Sequence, residues 1–65
     1  MNRALKLAIL ESGLPAYRIA QRVGLSDSTL SRIVRDRRVA TPDERHRIAK
    51  VLGRSERDLF EVEEQ

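Results

Sequence analysis

Apolar residues recur along this chain in short runs at helical spacing, and each run is closed by a break. Leu5, Ala8 and Ile9 form one stripe at i, i+3 and i+4, positions that are neighbours on an α-helix. The pattern predicts a first helix over about Arg3 to Ser12, with Gly13 positioned to end it. A second helix is expected from Pro15 to Val23, with Pro near its first position and Ile19, Ala20 and Val23 facing inward. Gly24 stops it. The third helix is expected from Ser26 to about Asp36, with Ser26 as its cap and Asp27 in its first turn, where a carboxylate suits the helix dipole. Its inner side carries Leu30, Ile33 and Val34.

The run Thr41-Pro42-Asp43-Glu44 combines an N-cap, a Pro at the first helical position and a carboxylate at the third, the make-up of a capping box. It predicts a fourth helix that buries Ile48, Ala49 and Leu52 and ends at Gly53. Ser55 and Asp58 open a short fifth helix, whose Leu59 and Phe60 are expected to close the core. The tail, residues 61–65, has little to bury and is expected to fray. No repeat, low-complexity tract or linker interrupts the pattern. The expectation is one all-α domain of five short helices over residues 1–65.

Composition narrows what such a domain does. A chain of 65 residues buries only about 60% of its unfolded surface, so its stability is modest. With no Cys and a single His it has neither disulfides nor zinc-finger spacings. His46 has no partner pattern for metal or catalysis, and no phosphate-cradling Gly loop is present, which argues against an enzyme. No cofactor and no small-molecule ligand is expected. The stretch Ala4 to Leu10 has some signal-peptide character, but Lys6 interrupts it, so it reads as amphipathic helix. No segment is long enough to span a membrane, and the expectation is a cytoplasmic protein.

Charge is distributed unevenly. Residues 1–40 hold eight Lys/Arg against three Asp/Glu, whereas residues 41–65 hold five against seven. A basic first part with a mildly acidic end suits a nucleic-acid binder. The second and third segments are joined only by Gly24, Leu25 and Ser26, and two helices joined by a short Gly-containing turn form a helix-turn-helix. Small Ala20 allows close approach, Gly24 supplies the left-handed residue, and Leu25 fills the corner. On a wheel of about 100° per residue, Ser28, Arg32 and Arg35 fall opposite the apolar side. A small residue early in that stripe lets the helix approach the major groove. Arg32 can then reach guanine O6 and N7, and Arg35 a base or a phosphate. Arg37 and Arg38 follow in the exit loop, where phosphate contact is the natural role. Asp27 is suited to cytosine N4 or, equally simply, to helix capping. Tyr17 is a phosphate contact through its hydroxyl or a cover for the core edge. Arg18 and Arg22 read as exposed helix residues.

The residues Leu14, Ile19-Ala20, Val23-Gly24-Leu25-Ser26, Ser28-Thr29-Leu30-Ser31-Arg32-Ile33, Thr41-Pro42, Ile48-Ala49, Leu52-Gly53, Ser55 and Leu59-Phe60 share their order and spacing with a known family. In these the chain resembles the Cro and phage-repressor family, also called the xenobiotic-response-element family of bacterial regulators, over about Leu14 to Phe60. The resemblance implies a five-helix fold with the third helix in the major groove. It implies base contacts from Asp27, Ser28 and Arg32, and phosphate contacts near Thr29, Arg35, Arg37 and Arg38. It also implies a double-stranded DNA partner and a homodimer on DNA, for which Leu59 and Val62 are the candidate surface.

Three positions depart from the family pattern. Ala16 stands where members often have a phosphate-gripping Gln, which leaves only a backbone N–H at that helix start. Val34 and Ile9 stand where members often have a Glu–Arg pair; both have become apolar, a change that is often neutral or stabilising. Asp36 stands where a Gly usually ends the third helix, so a different exit turn is expected there. The functional expectation is a sequence-specific DNA-binding regulator, most simply a repressor. The competing expectation is a protein-interaction module on the same fold, such as an antitoxin-like or adaptor subunit.

Overall fold

The computed structural model describes residues 1–60. Five helices follow one another: α1 (Arg3–Glu11), α2 (Ala16–Val23), α3 (Asp27–Val34), α4 (Pro42–Leu52) and α5 (Glu56–Leu59). Each starts where a local signal places it. Ser26, Thr41 and Ser55 accept the backbone N–H of Thr29, Glu44 and Asp58, and Thr41 with Glu44 completes the capping box. Gly13, Gly24 and Gly53 all take the left-handed conformation that ends a helix. Pro15 differs from expectation: it holds the extended N-cap position, and Ala16 is the first helical residue. An extended ψ is available to Pro, and helical geometry begins one residue later.

α2 packs mainly on α4 and α3, while α5 closes against α1 and α4. The core joins Leu5, Ala8 and Ile9 of α1, Ile19, Ala20 and Val23 of α2, Leu30 and Ile33 of α3, Ile48 and Ala49 of α4, and Leu59 of α5. Leu25, Val34, Leu52 and Phe60 are only partly buried and pack around it. Ala40, which lies in the loop before α4 and carries no helical periodicity, is buried as well. Leu59 is 1% exposed, so it is a core residue and cannot also offer a dimer surface. The other candidate, Val62, and the fraying expected of the tail lie outside the described residues.

Asn2 fastens the ends of three helices. Its side-chain oxygen caps α1 through Leu5 N–H at 3.0 Å, and its Nδ2 donates to the Leu59 carbonyl at 2.7 Å. Its backbone N–H donates to the Val34 carbonyl, also at 2.7 Å. The start of α1 thus fixes the ends of α3 and α5. Ile9 and Val34 line one hollow between α1 and α3. No helix among the described residues is long and apolar enough to cross a membrane.

Candidate nucleic-acid interface

The turn between α2 and α3 is built from backbone hydrogen bonds. Gly24 sits at φ 83°, and both its N–H and that of Leu25 donate to the Ala20 carbonyl at 2.9 Å. Ala20 is 1% exposed, small enough for the turn to close over it. Arg47 of α4 adds a contact that sequence spacing did not point to: its Nη1 donates to the Val23 carbonyl at 2.8 Å, at the end of α2. Its Nε lies 3.1 Å from Asp43, one helical turn earlier. A β-carbon on Gly24 would come within 3.1 Å of that same Nη1. Gly24 is therefore required for its φ and for the space that Arg47 occupies.

α3 starts on Ser26, whose Oγ accepts from Thr29 N–H at 3.1 Å and donates to Thr29 Oγ1 at 2.8 Å. The Thr29 hydroxyl keeps its own proton for another acceptor. The helix is shorter than the expected span from Ser26 to Asp36. Its regular part ends at Val34, and Asp36 turns to φ 59°. Asp36 N–H then donates to Ile33 at 3.1 Å and Arg37 N–H to Arg32 at 2.8 Å, the paired bonds of a Schellman ending. Asp36 thus adopts the turn that Gly usually supplies, and the exit keeps its usual form.

The two faces of α3 are cleanly separated. Leu30 and Ile33 are buried, whereas Asp27, Ser28, Arg32 and Arg35 are exposed, as is Arg37 beyond the turn. Thr29 is half-buried. At the start of α2, Pro15 makes no capping hydrogen bond, so the first-turn N–H groups of Ala16 and Tyr17 have no acceptor among the described residues. Tyr17 is 51% exposed, so its hydroxyl is open to solvent at the start of α2.

Arg38 stands apart from this set. Its two terminal nitrogens bind the two oxygens of Glu44 at 2.9 and 3.0 Å, a bidentate pair across the loop before α4. Glu44 also accepts the Thr41 N–H at 2.9 Å. These bonds, first that from Arg38 and then that from Thr41, hold the Glu44 carboxyl down to about 2 against its burial. The hydrogen bond to Glu44 raises the Arg38 pKa in turn. Arg38, a residue expected on a phosphate, thus braces the exit loop. Adjacency to Arg37 made Arg38 look like part of the basic stripe; the partner six residues on gives no periodic signal.

Ion pairing divides the cations by region. Arg38, Arg45, Arg47 and Arg54 each pair with a carboxylate: Glu44, Glu56, Asp43 and Glu11. Among the described residues Arg18, Arg22, Arg32, Arg35 and Arg37 make no such pair. Arg3 makes none either, so the unpaired arginines lie on α1, on α2 and on or just beyond α3.

A helix-turn-helix family model matches residues 5–59 of the chain. The chain belongs to the Cro and phage-repressor helix-turn-helix family. The match takes in all of α2, the turn and α3, and membership makes the chain a DNA-binding regulator by family. It extends upstream of the Leu14 to Phe60 resemblance to include most of α1. Neither the curated proteins nor the solved structures contain a match to the chain.

Proposed function

We propose that residues 1–65 act as one domain that binds double-stranded DNA sequence-specifically and represses transcription by occupying its site. α3 enters the major groove. Arg32 reads a guanine edge, Ser28 and Asp27 sit close to neighbouring bases, and Arg35 and Arg37 meet the backbone. Thr29 and the first-turn N–H groups of Ala16 and Tyr17 add phosphate contacts. Arg38 acts indirectly, by holding the loop that Arg37 extends from. A homodimer would set two such helices in successive grooves about 34 Å apart.

The observation that carries this reading is the split between paired and unpaired arginines. Arg38, Arg45, Arg47 and Arg54 are paired with carboxylates and serve the fold. Arg32, Arg35 and Arg37, on and just beyond α3, are exposed and unpaired among the described residues, which keeps their charge available for an external polyanion.

A gel-shift titration against random duplex DNA at two salt concentrations tests it. Binding that weakens steeply with salt is expected, and Arg37→Ala should flatten the slope by about one while weakening all sequences alike. Absence of duplex binding at low salt would overturn the reading and favour a protein-interaction module.

A further inference from the structure

The last carbonyls of a helix have no partner within it, and that of Val23 closes α2 just before the recognition turn. The next two N–H groups, on Gly24 and Leu25, both turn back to Ala20, so they do not serve Val23. The donor comes from α4, 24 residues on, as the Nη1 of Arg47 at 2.8 Å.

The guanidinium is held at two points. Nη1 meets the carbonyl at the negative end of the α2 dipole, and Nε faces the Asp43 carboxylate at 3.1 Å. Nε is closed to solvent yet completes no hydrogen bond among the described residues. An unmet buried donor is a cost that a freely solvated arginine does not bear. The group is therefore placed for Val23 more than for the acid one turn before it.

This contact joins the body of the domain to the part proposed to meet DNA. Three residues separate Val23 from the first residue of α3, so a tilt at the end of α2 is carried into the helix that presents Arg32. Reading a base edge with two hydrogen bonds needs placement within about 0.5 Å and 10–20°. A phosphate contact from an exposed arginine is less demanding and carries no sequence information. Loosening the end of α2 therefore harms discrimination between sequences before it harms attraction to the duplex.

We infer that Arg47 is a positioning residue for base reading. It fastens the end of α2 to α4 and so fixes the angle at which α3 presents Arg32, without itself touching DNA. This rests on the DNA-binding reading of α3 and adds to it a residue outside the recognition helix that sets specificity.

The test compares affinity for the duplex selected by the wild type with affinity for a random-sequence duplex, across salt. The proteins are the wild type, Arg47→Met, Arg47→Lys and Arg54→Met, each assayed well below its thermal midpoint. Arg54 also pairs with a carboxylate, but with Glu11 at the end of α1 and not with the turn. Arg47→Met should lower the ratio of selected to random affinity about tenfold. Its slope of log K against log salt on random duplex should stay that of the wild type, since no phosphate contact is lost. Arg47→Lys keeps a charge and a donor but not the fork that meets Val23 and Asp43 together, so its ratio should fall between the two. Arg54→Met should keep the wild-type ratio. An unchanged ratio in Arg47→Met overturns the role, whatever happens to its stability. A slope lowered by about one overturns it too, since Arg47 is then a phosphate contact. Equal losses in Arg47→Met and Arg54→Met overturn it by reducing the effect to general loosening. Should Arg47→Met fail to fold, a wild-type ratio in Arg47→Lys overturns the role by itself. A wild type that prefers no duplex removes the base reading on which the role rests.

Discussion

Glu44 is nearly buried, yet three donors from Arg38 and Thr41 keep it ionised far into the acid range. Its carboxyl is held at about 2 in the folded chain, against 4.5 ordinarily. A depressed carboxyl pKa adds stability that is complete above the unfolded value and is lost as pH falls through the folded one. Part of the stability at neutral pH should therefore disappear between about pH 4.5 and pH 2. Glu44→Gln should cost about 1–2 kcal/mol at pH 7, and the penalty should shrink on acidification. Urea unfolding at pH 7 and pH 3 checks this; a penalty that does not change with pH would contradict it. At this scale the capping role of Glu44 was legible in the sequence and its pair with Arg38 was not. The capping box is local, within four residues, whereas the Arg38 pair depends on how the loop folds back.

In the helix-turn-helix, α2, the turn, α3 and α4 constrain one another. Its caps and its left-handed Gly24 were legible because each depends on one or two neighbours in sequence. The brace from Arg47 to the Val23 carbonyl was not, since it crosses from α4; the Asp43–Arg47 spacing alone looks like a surface pair. Asn2 shows the mixed case. The sequence did not single it out: it caps α1 locally, but its bonds to Leu59 and Val34 reach far along the chain. The helix start at Pro15 and the early end of α3 fall within the one or two residues by which helix ends shift. Gly24→Ala combines an unfavourable φ with a close approach to Arg47, and should destabilise by about 1–3 kcal/mol. Thermal or urea unfolding reads the loss. Truncating the neighbour, as in Gly24→Ala with Arg47→Ala, removes the crowding but not the strained φ. The double variant should therefore be less destabilised than the sum of the single ones.

For the whole molecule, the charge asymmetry of the sequence becomes a division of labour. Arg38, Arg45, Arg47 and Arg54 are spent on ion pairs, whereas Arg32, Arg35 and Arg37 on and just beyond α3 pair with no carboxylate among the described residues. The counts along the chain pointed to a basic half; they could not distinguish a committed arginine from an available one, because that depends on which carboxylates the fold brings near. Selection of binding sites from a random duplex pool, run with the wild type and with Arg32→Ala, tests the central claim most directly. The wild type should enrich a two-fold symmetric consensus containing a guanine that Arg32→Ala no longer selects, with about 1–3 kcal/mol of discrimination lost at that position. Recovery of the same consensus by both proteins, or of no consensus by the wild type, would contradict base reading by α3.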